Sequence, residues 1–162
     1  MELIRDATKE DFASIVRLNE AEVLQTSPMS QERLQFLADI SSYFKVMEYE
    51  SSASAFLLAM GPNAPYENDN YSWFASRFKD FMYVDRIVVG PKLAGRGAGS
   101  KLYLDLFNFS RSHGLKTIVC EYNIEPPNPA SKAFHDKLGF REVGRQLVSG
   151  GGKLVSLQAA ET

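Results

Sequence analysis

The chain has 162 residues, a formal net charge of −2 and 44% apolar residues. That length fits one ordinary domain (residues 1–162), and that apolar share supplies a buried core. A small negative charge excludes a chain-wide basic field for a nucleic-acid backbone, so any anion site must be local.

The first residues, Met1-Glu2-Leu3-Ile4-Arg5-Asp6, lack the apolar region of a secretory signal. No apolar run approaches the ~20 residues of a membrane span. Both observations predict a cytoplasmic protein with no membrane partner. Residues 3–5 read as a first strand. Thr8-x-x-Asp11 has the form of a capping box and opens a helix with Phe12, Ile15, Val16 and Val23 on one face. After Ser27-Pro28 a second helix turns Leu34, Leu37 and Ile40 inward. Residues 43–49 and 53–60 are two strands around the polar turn Glu50-Ser51-Ser52.

Residues 61–70 form a polar loop with Pro62 and Pro65, followed by the aromatic stretch Tyr71-Ser72-Trp73-Phe74-Ala75. Residues 81–89 are apolar enough for a strand buried on both faces. A glycine-rich turn at residues 95–99 leads into a helix with Leu102, Leu106 and Phe109 at helical spacing, closed by Gly114. Residues 117–123 are a further strand, in which the single cysteine, Cys120, reads as core packing. One cysteine makes no internal disulfide, which again points to an intracellular chain. Asn128-Pro129 has N-cap and first-turn chemistry. Ala130, Ala133, Phe134 and Leu138 then form an apolar helical side, opposite a polar flank of Asn128, Ser131 and His135. Residues 140–148 and 153–158 make a closing hairpin across Ser149-Gly150-Gly151-Gly152. The order is mixed α/β.

The informative junction runs from the strand at Val84–Val89 through Gly90-Pro91-Lys92-Leu93-Ala94-Gly95-Arg96-Gly97-Ala98-Gly99-Ser100-Lys101. Glycines let successive backbone N–H groups point one way, and the helix N-terminus adds partial positive charge. That combination binds phosphate, with Arg96 and Lys101 as added charge. The alternative is a connector with no ligand. Gly99-Ser100-Lys101 is not a Walker Gly-Lys-Ser/Thr, and Ser100 stands where a dinucleotide fingerprint needs its third glycine. A different phosphorylated ligand is implied.

Ala94-Gly95-Arg96-Gly97-Ala98-Gly99 resembles the acyl-CoA motif Arg/Gln-x-x-Gly-x-Gly/Ala of the GNAT superfamily of N-acyltransferases, with Ala94 at the Arg/Gln position. Asn128-Pro129-Ala130-Ser131-Lys132-Ala133-Phe134-His135-Asp136-Lys137-Leu138-Gly139-Phe140 resembles the family block Asn-x-x-Ala-x-x-Phe-Tyr-x-x-Leu-Gly-Phe, with Ser131 for the first Ala and His135 for the Tyr. The resemblance implies the GNAT fold, a splayed central mixed β-sheet flanked by helices. It also implies an acetyltransferase that uses acetyl-CoA (coenzyme A) and no metal, and moves the acetyl group to a primary amine through a tetrahedral oxyanion. Ligand contacts would come from Ile87, Val88 and Val89, from Gly95, Arg96, Gly97, Ala98, Gly99 and Ser100, and from Asn128 and Ser131.

Such chemistry needs a neutral amine. A lysine-like ammonium leaves roughly one nitrogen in 2,500 free at pH 7, so a base or a desolvating pocket is required. Glu121, a charge inside a strand, is the candidate base. Asp85, the other strand carboxylate, reads as structural and paired to a neighbouring strand. His135, at the family's Tyr position, is the candidate general acid. The resemblance implies an acceptor pocket at the first two helices and neighbouring loops, with candidates in Thr26-Ser27-Pro28-Met29 and in the aromatic stretch from Tyr66 to Phe78, which holds Tyr71, Trp73 and Phe74 with Arg77 nearby. Asn123, two residues beyond Glu121, joins them. The acceptor is a small-molecule amine, a peptide N-terminus or a lysine, and a homodimer is open. A second reading is a non-catalytic acyl-CoA sensor.

Overall fold

A computed structural model describes residues 1–22, 28–125, 127–148 and 152–162. They contain seven strands: β1 (Glu2–Asp6), β2 (Tyr43–Tyr49), β3 (Ser52–Met60), β4 (Phe81–Val89), β5 (Thr117–Glu125), β6 (Arg141–Leu147) and β7 (Leu154–Glu161). Five helices accompany them: α1 (Phe12–Ala21), α2 (Gln31–Ile40), α3 (Asp69–Ala75), α4 (Ala98–Ser112) and α5 (Pro129–Lys137). The chain divides into two compact units, Met1–Met60 with Val84–Leu106, and Gly61–Tyr83 with Phe107–Thr162.

In the first unit, β1, β2 and β3 form an antiparallel meander, with a bulge between Met47 and Glu48. Tight-turn residues Glu50 and Ser51 both take positive φ to link β2 and β3. Alternation along β2 serves two helices. Phe44 meets Phe12 of α1 at 6.3 Å and Phe56 of β3 at 6.4 Å. Tyr43 and Lys45 point the other way and bind Asp105 of α4 at 2.7 and 3.0 Å. Burial and the bond to Asp105 push the Tyr43 phenol far above its ordinary range, so it remains a donor. On α1, Phe12 and Ile15 are buried as the periodicity predicts, but Asn19 completes that face and Val16 is half-buried. Val23 lies outside the described residues. Leu34 and Leu37 of α2 are fully buried, whereas Ile40 is half-buried.

The second unit joins the start of β4 to β5 in parallel, through Phe81–Thr117, Met82–Ile118 and Tyr83–Val119. The β5 strand pairs antiparallel with β7, and β7 with β6. Cys120 is buried in this sheet and takes part in no disulfide, as core packing requires. The sequence predicts no element at Asp69–Ala75, yet this stretch is a helix. Asn68 caps it by accepting from the backbone N–H groups of Asn70 and Tyr71, both at 3.0 Å. The Trp73 ring lies over Gly144 of β6, where an added Cβ would come within 2.5 Å of it. Gln146 of the same strand donates to Asn70 at 3.0 Å.

The α5 helix corrects its own amphipathic reading. Ala130 and Ala133 are exposed, while His135, on the polar flank, is the buried position. His135 packs against Tyr122 at 5.6 Å and Phe140 at 5.3 Å, so its ring serves as the apolar anchor.

The capping box at Thr8 opens a 3₁₀ turn (Lys9–Asp11) that continues into α1. Asp11 accepts from the Thr8 N–H at 2.8 Å and holds Arg5 of β1 in a two-pronged ion pair at 2.8 and 2.9 Å. The Arg5 bond keeps the Asp11 carboxyl below its usual range. Asp11→Asn is therefore expected to cost about 1–2 kcal/mol of stability at neutral pH. The unfolded carboxylate takes up its proton first, so the difference shrinks as pH falls below about 4. Denaturant melts of both proteins at pH 7 and pH 3.5 check this, and a difference independent of pH contradicts it.

Candidate active site

In the first unit, the end of β4 runs through a 3₁₀ turn (Pro91–Leu93) into the glycine loop and the N-terminus of α4. Val88 is buried, with Ile87 and Val89 half-buried. Gly95 and Gly97 have φ of +75° and +72°, and nothing lies within 4 Å of where a Cβ would stand on either. Glycine is needed there for the backbone conformation, and the space above the loop is open. Gly95, Arg96 and Gly97 are exposed, Gly99 and Ser100 half-buried, and Ala98 buried beneath them. The first-turn N–H groups of α4 have no carbonyl partner within the helix. This cradle fits an anionic phosphate ester. The Arg96 guanidinium rests 4.8 Å above the Tyr49 ring, beside the loop. Lys101, expected to add charge to the loop, pairs with Glu2 at 3.1 Å.

Asp85 has the structural part expected of it: it accepts from Arg86 Nε at 2.6 Å, and Arg86 donates to Asn19 at 3.1 Å. Both side chains of that pair are buried. A paired and hydrogen-bonded buried charge is a structural arrangement.

The second unit holds the carboxylate chemistry. Glu121 is half-buried and accepts from the Tyr83 phenol at 2.7 Å. Tyr83 is itself fixed by rings of Tyr71 at 5.6 Å, Phe74 at 6.0 Å and Tyr66 at 6.5 Å. A buried tyrosine on a core strand reads as packing in the sequence. Only the parallel pairing of β4 with β5 reveals it as Glu121's donor.

Strand alternation sorts the rest. Glu121 and Asn123 share one face of β5, while Tyr122 occupies the other. Register places Leu157 and Gly144 in the Glu121 row, and Val155 and Gln146 in the Asn123 row. Because α3 sits on Gly144 and Gln146, it covers the Glu121 face, and α5 covers the Tyr122 face. Asn123 is only 7% exposed, and its Nδ2 has no hydrogen-bond partner among the described residues. A cavity of about 520 Å³ is lined by Tyr122, Asn123, Asn128, Lys132, Arg145 and Gln158, among others.

The remaining candidates have structural employment. Tyr71 is 3% exposed; its hydroxyl donates to Gly61 O at 2.6 Å and accepts from Ala64 N–H at 3.0 Å. Trp73 is pressed on Gly144 and carries Arg77 over its ring at 4.0 Å. Asn128 caps α5 by accepting from Ser131 N–H at 3.2 Å. Met29 is buried and Pro28 exposed, while Thr26 and Ser27 lie outside the described residues. Among the described residues no group of three His, Cys, Asp or Glu side chains is arranged to hold a metal ion. No described helix is long and apolar enough to cross a membrane.

His135 Nδ1 lies 2.7 Å from Ser131 O, so that nitrogen carries the proton and donates it. Burial holds the imidazole below the usual histidine range, outweighing the opposing pull of Ser131 O and Asp136. The ring is neutral near pH 7, and its Nε2 is then an acceptor. A neutral ring near pH 7 is a weaker proton donor than an imidazolium. It also has a stability consequence. The unfolded histidine binds its proton first as pH falls below about 6.5, so folding weakens from there downward. Between pH 7 and 5.5 the wild-type Tm is expected to fall more steeply than that of His135→Phe; parallel slopes contradict a neutral buried ring.

A model of the acetyltransferase (GNAT) family matches residues 9–140. Glucosamine 6-phosphate N-acetyltransferase of Trypanosoma brucei brucei is 34% identical over 65 residues, covering 40% of this chain and 41% of that protein. Phosphinothricin N-acetyltransferase of Streptomyces coelicolor is 40% identical over 58 residues, covering 36% of this chain and 33% of that protein. The match thus spans less than half the length of each of these curated relatives. Among solved structures, Ard1 from Thermoplasma volcanium superposes with a TM-score of 0.81 at 15% identity, covering 99% of this chain and 97% of that one. The ribosomal-protein-S18-alanine N-acetyltransferase from Escherichia coli gives 0.72 at 17% identity, with 99% and 94% covered. At such identities the likeness establishes the fold.

Proposed function

The chain belongs to the acetyltransferase (GNAT) family, and from that premise we propose that residues 1–162 form one catalytic domain that moves an acetyl group from acetyl-CoA to a primary amine, with Glu121 as the proton acceptor. The observation that carries this reading is the Tyr83–Glu121 hydrogen bond at 2.7 Å. It holds a half-buried carboxylate in one orientation, as a positioned proton acceptor requires.

Each group has a task. The loop from Gly95 to Ser100 and the α4 N-terminus hold the phosphates of the co-substrate, helped by Arg96. The β4–β5 ladder has its last pair at Tyr83 and Val119. The backbone N–H groups around Ile87, Val88 and Val89 are the donors for the oxygen that turns negative during attack. The amine nitrogen forms its bond to the thioester carbonyl carbon, the C–S bond breaks, and sulfur leaves with the electron pair. The proton lost by nitrogen goes to Glu121. A thiol of ordinary pKa leaves as thiolate at a cost of about 2 kcal/mol at pH 7, so the step proceeds without a proton from His135. Asn128 and Ser131 act through α5, which they cap and start.

Glu121→Gln is expected to lower kcat/KM by about 10²–10⁴. Tyr83→Phe retains the base but loses the bond that orients it, and is expected to lower kcat/KM by a smaller factor than Glu121→Gln. Steady-state kinetics from pH 6 to 9 read both. A Glu121→Gln enzyme with wild-type kcat/KM throughout that range would rule out the assignment.

A further inference from the structure

The Glu121 face of β5 carries a second polar group whose bonding is incomplete. Asn123 is 93% buried, and its Nδ2 donor is unpartnered among the described residues. An unsatisfied buried donor costs about 1–3 kcal/mol. The sheet around it offers no relief. The strand neighbour in its row is the apolar Val155, and the next, Gln146, donates its own amide N–H to Asn70. Asn123 also lines a cavity of about 520 Å³, from which a ligand group can come to this donor once the side chain turns toward it.

We propose that Asn123 selects the acceptor: Nδ2 donates to a carbonyl or carboxylate oxygen of the amine substrate while the amine nitrogen is held at Glu121. This rests on the N-acetyltransferase reading and names its substrate class. Residues two apart on a strand are separated by roughly 6–7 Å. Hydrogen bonds of about 2.9 Å at each end can therefore be bridged by a nitrogen and an oxygen three or four bonds apart. An amino-acid-type amine, with its nitrogen α or β to a carbonyl, has that spacing. A plain alkylamine or a polyamine offers nothing to Asn123 and leaves the buried donor unmet. A site built to hydrogen-bond a substrate group discriminates against analogues that lack it more strongly than an apolar pocket does.

The test uses glycinamide and propylamine as probes, with acetyl-CoA and thiol release as the readout, at matched concentrations of free amine. Wild type is expected to show the higher kcat/KM with glycinamide. Asn123→Leu, of similar volume and with no polar atom, is expected to lower kcat/KM for glycinamide about 10–100-fold more than for propylamine. Its Tm in the absence of ligand is expected not to fall, because an unmet donor has been removed. Asn123→Asp, which cannot donate, is expected to lose the preference for glycinamide as well. Equal losses for both amines together with a lowered Tm make Asn123 structural and overturn the proposal. Acetylation of neither amine by wild type, or a preference for propylamine, also overturns it. Glu121→Gln in the same assay reports separately on the base: if it leaves both rates intact, that assignment fails while the Asn123 ratio still reads substrate selection.

Discussion

A carboxylate set inside a β-strand has to be met by a donor, and at Glu121 the donor is a phenol on the neighbouring parallel strand. Much of the second unit is arranged around that bond. Tyr83 can present its hydroxyl at 2.7 Å because Tyr66, Tyr71 and Phe74 close around its ring. Tyr71 in turn ties the loop at Gly61 and Ala64 with its own hydroxyl. Phe74 and Tyr71 are placed by α3, whose first turn depends on the Asn68 cap. A seven-residue helix would be marginal alone. Its seat on Gly144 and its bond to Gln146 supply the tertiary contacts that it needs.

The β4 strand brings two kinds of chemistry into one segment of chain. Its first residues pair with β5 and end at Tyr83, and its later residues lead through the 3₁₀ turn to the glycine loop. Side-chain chemistry thus precedes backbone chemistry along a single strand. A side chain at Gly95 or Gly97 would be strained at those φ values and would occupy the open space above the loop. Substrate selection, in this account, falls to the β5 face with its alternating pair, a carboxylate that accepts and an amide that donates.

The sequence makes much of this legible, for identifiable reasons. Most strands follow from short apolar runs bounded by turn residues, the polar β6 from its place across the glycine turn from β7, and the glycine loop from its spacing. Glu121 stands out because charge is rare inside a strand. Four features were hidden. The α3 helix is rich in aromatic residues, which favour strands, and only its cap at Asn68 marks it. Tyr83's role depends on a partner 38 positions away, which no local pattern carries. His135 looks polar in a helical projection, yet desolvation makes it a neutral ring packed on Tyr122 and Phe140. Periodicity ranks residues by type, and it misplaces a histidine that has lost its charge. The orphaned donor of Asn123 is likewise a property of tertiary packing.

The measurement that tests the central claim most directly is a thermal-shift titration of the protein with acetyl-CoA, coenzyme A, ATP and NAD in parallel. A ligand that binds only the folded state raises the midpoint by mass action. The account predicts a saturable rise with acetyl-CoA and coenzyme A alone. No response to either, or a larger response to ATP or NAD, would contradict the reading of the glycine loop, and the acetyl-transfer account built on it would fall.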